Sequence, residues 1–359
     1  MVNNSKRVAI IGAGSSGCCA AKYALENGLE PTVFEKSKYP CGLWASCTDN
    51  RTAVWDGLYA NISYFCMQFS DHPHTYGPSI IPSFKDINKY IQSYIERFEL
   101  AKHIRLATPV QRVVYLPDKR WQVNSIDLNT NETKSETFDF LMVASGLHSS
   151  PRIPNFENMN NFKGLILHGS KFKLNDERLK DKNVIVMGHS YSATDISANC
   201  VGTAATVTNL FRRPYLVTPR LIRFKSELNR NKKNSFHVVP IDFLIFRRVS
   251  TLCDAQTPEG IREFNCKHLK QINVEQSNKE KSHPELFYDF ETEDEIRESI
   301  SDNYYGFIKK GMVKPKKGYI SRFESNGVVL NDGSFLKADA VFNRLTINYI
   351  QKFSSNILV

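Results

Sequence analysis

Gly12-Ala13-Gly14-Ser15-Ser16-Gly17 has the spacing of a turn that cradles a pyrophosphate. The first glycine permits a tight turn. The second lets the backbone approach a phosphate, and the third lets a helix pack closely on the preceding strand. Amides at the start of that helix, with its dipole, suit an anion. Glu35 lies eighteen residues after Gly17, where a carboxylate accepts hydrogen bonds from a ribose diol. That chemistry fits a nucleotide without a 2′-phosphate, FAD or NAD. A second turn, Gly188-His189-Ser190-Tyr191-Ser192-Ala193, is a degraded form of the first, with Ser190 and Ala193 in place of the later glycines. Both are small, so close approach stays open. No acid follows the next strand. Arg212 and Arg213 stand there instead, and a guanidinium pairs bidentately with a ribose 2′-phosphate that a carboxylate would repel. The second turn therefore reads as a site for NADPH.

Such turns require a strand before and a helix after. Residues 7–11 (RVAII) are a short β-branched run of the kind buried in parallel sheets. A helix over 15–27 closes at Gly28, and a strand over 32–35 completes a strand–helix–strand unit. Residues 183–187, a helix to about 200 and a strand over 205–210 repeat that logic. Between the two units the pattern predicts an amphipathic helix over 87–98 and strands over 110–116, 121–126 and 137–144. Strands over 319–323, 328–330 and 335–342 follow late in the chain, and Asp339-Ala-Val-Phe echoes Asp139-Phe-Leu-Met-Val. The expected fold class is α/β with two Rossmann-like dinucleotide-binding domains. The first takes residues 1–150 with 317–359 as a partial return. The second takes 155–316 and carries a poorly readable stretch at about 220–301.

An apolar fraction of 41% supports sizeable cores in 359 residues, and disorder is not the default. The net charge of +10 fits either a solvated basic surface or attraction for polyphosphates. The basic residues are spread along the chain, with one modest cluster at 223–233, so no nucleic acid is expected as a partner. The eight cysteines include no Cys-x-x-Cys pair and read as reduced thiols. Cys66, His72 and His74 could be drawn as a metal cluster, but no metal is expected. No run reaches the roughly 18 apolar residues of a membrane helix. No signal peptide is read at the start, and a cytoplasmic protein is expected.

Phe162-x-Gly164-x-x-x-His168-x-x-x-Phe172-Lys173 resembles the fingerprint of flavin-containing monooxygenases, class B flavoproteins. Baeyer–Villiger relatives carry Trp where Phe172 stands. The likeness covers about 6–220 well and 317–342 loosely. The run from Ser190 to Asp195 is similar to the bacterial trimethylamine monooxygenase branch. By this resemblance Ser16, Leu43, Trp44 and the backbone of Val110 hold FAD, and Tyr191, Ser192 and Arg212 hold NADPH. Asn61, in Tyr59-Ala-Asn-Ile-Ser, matches the family's active-site asparagine, and His168 reads as a linker between domains. The implied reaction passes through a C4a-hydroperoxyflavin and oxygenates a soft amine or sulfide with O2; a homo-oligomer is compatible.

Two departures stand beside the resemblance. Cys41 replaces the first glycine of the family's Gly-Gly-x-Trp, and Asn343-Arg344-Leu345 replaces its Ala/Cys-Thr-Gly-Tyr. The resemblance implies chains that continue for tens of residues past this one, back over the flavin pocket, so a truncated or alternative product is expected. Two other readings stay open: an FAD/NADP-binding relative without monooxygenase turnover, and a Baeyer–Villiger enzyme. A disulfide reductase is disfavoured, because Cys41 and Cys47 lack the four-residue separation of a redox pair.

Overall fold

The computed structural model describes residues 5–45, 54–74, 79–147, 151–225, 236–242, 260, 263, 267, 269–270, 272–289, 297–343, 346–347 and 357–358. The chain divides into two compact units: Met1–Leu58, Ser83–Arg152 and Thr346–Val359 form one, and Tyr59–Pro82 with Ile153–Leu345 the other.

In the first unit the apolar run becomes β1 (Arg7–Ile11), with Val8, Ala9 and Ile10 fully buried. It feeds α1 (Ser15–Glu26) and β2 (Glu30–Phe34). Helix α2 (Phe84–Arg97) begins three residues before the start expected at 87, because Ser83 and Asp86 cap it reciprocally and Phe84 joins its buried face. After it come β3 (Ile104–Arg105), β4 (Val110–Tyr115), β5 (Trp121–Ile126), β6 (Thr133–Phe138), β7 (Phe140–Val143) and β8 (Pro151–Arg152). β3-β2-β1-β7 form a parallel sheet, and β4–β6 an antiparallel ladder. Ala9, Ile11 and Phe34 of the sheet share one core with Val113, Val123 and Phe138 of the ladder.

The second unit repeats this construction. It contains β9 (Leu165–His168), β10 (Asn183–Met187), α3 (Tyr191–Cys200), β11 (Thr206–Phe211), β12 (Leu216–Thr218), β13 (Leu221–Lys225), β14 (Phe236–Pro240), β15 (Glu298–Ile300), β16 (Val313–Lys317), β17 (Ile320–Glu324), β18 (Gly327–Leu330), β19 (Phe335–Lys337) and β20 (Ala340–Asn343). The parallel sheet runs β16-β11-β10-β20-β9, and the β17–β19 meander covers one face. Ile185, Leu210 and Val341 pack there against Phe323, Val328 and Leu330. β21 (Thr346–Ile347) and β22 (Ile357–Leu358) belong to the first unit. Among the described residues, no helix is long and apolar enough to cross a membrane.

The observed division differs from the sequence reading, which gives 317–359 to the first domain and 1–150 to it without a break. β17–β20 lie in the second unit, because β20 hydrogen-bonds between β10 and β9 and the meander buries that sheet's apolar face. Tyr59–Pro82 also belongs to the second unit. The strands read over 137–144 and 335–342 each break in two, at Asp139 and Asp339. The Asp139 carboxylate accepts the Arg7 N–H at 2.8 Å, and the Asp139 N–H donates to the Arg7 carbonyl at 2.9 Å. Asp339 makes the same pair of bonds with Asn183, both at 2.8 Å. The echo in sequence is thus a pair of equivalent clasps on the first residue of each central strand.

Candidate active site

Between β1 and α1, Gly12 adopts φ +106° and donates its N–H to Phe34 O at 2.8 Å. A side chain there would be strained and would meet Ala144 O at 2.4 Å. A Cβ on Gly17 would lie 1.8 Å from Gly12 O, so only glycine lets α1 sit this close. A Cβ on Gly14 would meet only Gly42, at an ordinary 3.6 Å, which leaves that backbone open to a ligand. No side chain caps α1, and Ser16 in its first turn is exposed. Glu35 is buried just beyond β2, and its carboxylate accepts the N–H groups of Ala13 and Ser37, each at 2.8 Å. It therefore holds the turn itself, while each carboxylate oxygen keeps a second lone pair.

Gly42, Leu43 and Trp44 form one helical turn against this site. Cys41 donates its N–H to Ala13 O at 2.9 Å, and Asn88 of α2 donates its amide to Trp44 O at 2.7 Å. Cys41 sits at φ +82°, a left-handed conformation that glycine adopts without penalty, which explains the glycine usual at this position. Burial pushes its thiol up to about 12, so it is not a nucleophile at neutral pH. Val110 opens β4 opposite Ser125, at a bulge.

The second turn is built the same way. Gly188 takes φ +102° and donates to Leu210 O at 2.8 Å. Ser190 precedes α3 with no side-chain cap, and Ser192 lies half-buried in its first turn. Arg212 and Arg213 are exposed directly after β11. The Tyr191 hydroxyl donates to Glu298 at 3.4 Å, and burial holds that carboxyl above its ordinary value. Beneath the turn lies a network that sequence inspection missed. His189 Nδ1 accepts the Tyr215 N–H at 2.8 Å, so the neutral ring carries its proton on Nε2, 2.9 Å from Tyr304 Oη. Tyr304 donates on to Asn209 Oδ1 at 2.6 Å, and the Asn209 amide holds Gly188 O at 2.7 Å. Burial drives His189 down to about 3, so the network stays uncharged.

Asn61 lies in the second unit, outside the 1–150 domain to which the sequence reading assigns it. Its Oδ1 accepts from Arg220 Nη2 at 3.2 Å. Arg220 is buried and also bonds Ala60 O at 2.8 Å, Asp195 at 2.7 Å and Asp302 at 2.9 Å. Because a guanidinium only donates, it fixes the oxygen end of the Asn61 amide and turns the NH2 group away from itself. Burial holds the Asp195 carboxyl above its ordinary value even beside Arg220. The signal for Arg220 in the sequence is a lone charge inside the apolar stretch from Leu216 to Ile222. The fingerprint residues serve packing within the second unit: Phe162 enters its core, and Phe172 stacks edge-on against Phe342 at 5.8 Å. His168 closes β9 and pairs with Ser170 within the second unit.

A family model described as FMO-like, flavin-binding monooxygenase-like, matches residues 5–352. The chain belongs to this family. Its similarity to flavin-containing monooxygenase 5 of Oryctolagus cuniculus is 30% identity, over 92% of this chain and 59% of the relative. A 4-hydroxybenzoate brominase (decarboxylating) of Pseudoalteromonas luteoviolacea (strain 2ta16) is 28% identical, over 94% and 62%. Tmm from Pelagibacter sp. strain HTCC7211 shares the fold at TM-score 0.59 and 22% identity, over 94% of this chain and 60% of that one. A steroid monooxygenase solved with NADP does so at TM-score 0.69 and 17% identity, over 99% and 73%. The chain spans about 60% of the length of these two curated relatives. FAD and NADPH are the cofactors this flavin-binding monooxygenase membership assigns, and the open Gly14 backbone, two uncapped helix starts and Arg212 fit them.

Proposed function

We propose that the protein is an NADPH- and O2-dependent flavin monooxygenase acting on a small molecule with a soft nitrogen or sulfur. The observation that supports this most directly is the pairing of two equivalent glycine turns with opposite ribose partners. Glu35 follows the first and Arg212 the second. Gly12, Gly14 and Gly17 cradle the FAD pyrophosphate at the start of α1, with Ser16, Leu43, Trp44 and the Val110 backbone around it. Gly188, Ser190, Tyr191 and Ser192 do the same for NADPH, while Arg212 and, more distally, Arg213 take its 2′-phosphate. Bound FAD, reduced by NADPH, supplies the electrons and the oxygen chemistry. The chain's own part is to place and to shield. Asn61 offers its amide N–H groups to the reacting oxygen, in an orientation set by Arg220. A neutral sulfur or nitrogen needs no base to attack, and His189 is buried and uncharged, so no side chain has to carry a proton at that step.

The test is purified protein with added FAD, NADPH and O2, offered a thioether, a tertiary amine and a cyclic ketone. Sulfoxide or N-oxide formed in step with NADPH use supports the proposal. Ester from the ketone alone would give the Baeyer–Villiger reading, and NADPH use without oxygenated product would give a relative lacking turnover.

A further inference from the structure

Asn343 is the last residue of β20 and His168 the last of β9, and the two are register partners in a parallel pair. They therefore project to the same face of the sheet, in its final row. Asn343 is 2% exposed, and neither its Oδ1 nor its Nδ2 has a hydrogen-bond partner. His168 is 5% exposed, and its Nε2 has none either. His168 Nδ1 meets the Ser170 Oγ at 2.8 Å and the Ser170 N–H at 3.2 Å, and burial lowers the ring below its ordinary value; in the neutral tautomer that accepts this N–H, the proton sits on the unpartnered Nε2. One amide oxygen, one amide NH2 and one imidazole N–H are thus sealed from water with nothing to bond. Such groups are costly to leave unsatisfied, and a fold that keeps them does so for a ligand or at a loss.

Their place in the sheet says which ligand. In the order β16-β11-β10-β20-β9, the strand bearing the Gly188 turn sends its crossover to β11, while β20 and β9 lie on its other side. The topological switch point therefore falls between β10 and β20, where ligands cross the carboxyl ends of open parallel sheets. A dinucleotide with its 2′-phosphate on Arg212, beyond β11, and its pyrophosphate at Gly188, beyond β10, must carry its other half over β20 and β9. We propose that Asn343 and His168 form the subsite for the nicotinamide–ribose half of that dinucleotide, matching its carboxamide and ribose hydroxyls with two donors and an acceptor. This rests on the NADPH reading of the second turn. The replacement of the family's Ala/Cys-Thr-Gly-Tyr by Asn343-Arg344-Leu345 then marks a different polar contact in this chain, not only a lost motif.

The experiment compares calorimetric binding of NADP+ and of 2′,5′-ADP, which lacks the nicotinamide half, to the full chain and to Asn343→Leu, with thermal melts of both proteins. The variant is expected to bind NADP+ about tenfold more weakly and 2′,5′-ADP within about twofold of the parent, as loss of one or two hydrogen bonds predicts. Its ligand-free melting temperature should hold or rise, because an unsatisfied buried amide has been removed. Asn343→Ala repeats the comparison with a smaller side chain. Unchanged NADP+ binding, equal weakening of both ligands, or a lower melting temperature in both variants would overturn the subsite. Failure of the underlying reading looks different: the parent itself would bind neither nucleotide.

Discussion

Gly14 and Gly17 stand three residues apart in one turn, yet they should fail in different ways. Gly17→Ala sets a methyl 1.8 Å from Gly12 O, so α1 must move, and about 3 kcal/mol of stability should be lost. Gly14→Ala adds a methyl in ordinary contact and should melt like the parent, while its ratio of bound flavin to protein falls. A melting curve and a visible spectrum of each variant separate the two outcomes. Arg212→Ala should weaken NADPH about 10- to 100-fold and leave NADH nearly unchanged, read by titration with each; equal weakening would remove its assignment to the 2′-phosphate. These residues were legible in the sequence because each constraint is local: a glycine every few positions, an acid or arginine at the end of the next strand. Arg220 was not, since its partners Asn61, Asp195 and Asp302 lie 159, 25 and 82 positions away. Cys41 was seen as a departure, but its left-handed backbone, the reason glycine belongs there, needed the fold.

At the scale of elements, the Gly188 turn rests on His189, Tyr304 and Asn209, drawn from α3's approach, the short helix Tyr304–Lys309 and β11. Tyr304→Phe leaves His189 Nε2–H and Asn209 Oδ1 buried and unpaired and should cost about 1–3 kcal/mol in urea unfolding. The network also has a pH dependence of fixed sign. His189 is depressed to about 3 in the fold, while the unfolded chain binds a proton near the ordinary value of 6.5. Its contribution is therefore complete above about pH 6.5 and lost as the pH falls towards 3, by up to about 1.4 kcal/mol per pH unit. Urea midpoints at pH 7 and pH 5 measure this, and His189→Phe should flatten the difference; an unaltered slope would place its origin elsewhere. The strands themselves were readable because buried parallel strands are short, apolar and β-branched. Their breaks at Asp139 and Asp339 were not, because an apolar run on either side of one acid looks continuous until the acid is seen to bond another strand.

Across the whole molecule, each unit has its own parallel sheet, glycine turn and antiparallel cover, with separate cores around Phe34 and Ile185. Nucleotide binding should therefore protect them separately. Hydrogen exchange with 2′,5′-ADP is expected to slow amides in β10, α3 and β11 and to leave β1, α1 and β2 unchanged; protection confined to β1–β2 would exchange the two assignments. The fold class was legible from two strand–helix–strand repeats. The allotment of 317–343 was not, since an antiparallel meander reads the same in sequence whichever sheet it covers. The twin aspartate clasps carry a last consequence. Side chains alternate faces along a strand, so a slip of a single residue would invert β1 or β10 and misplace the glycine at its far end. By pinning Arg7 and Asn183 at the entry of each strand, Asp139 and Asp339 act as alignment pegs, and the height of each glycine turn is set from the opposite rim of the sheet.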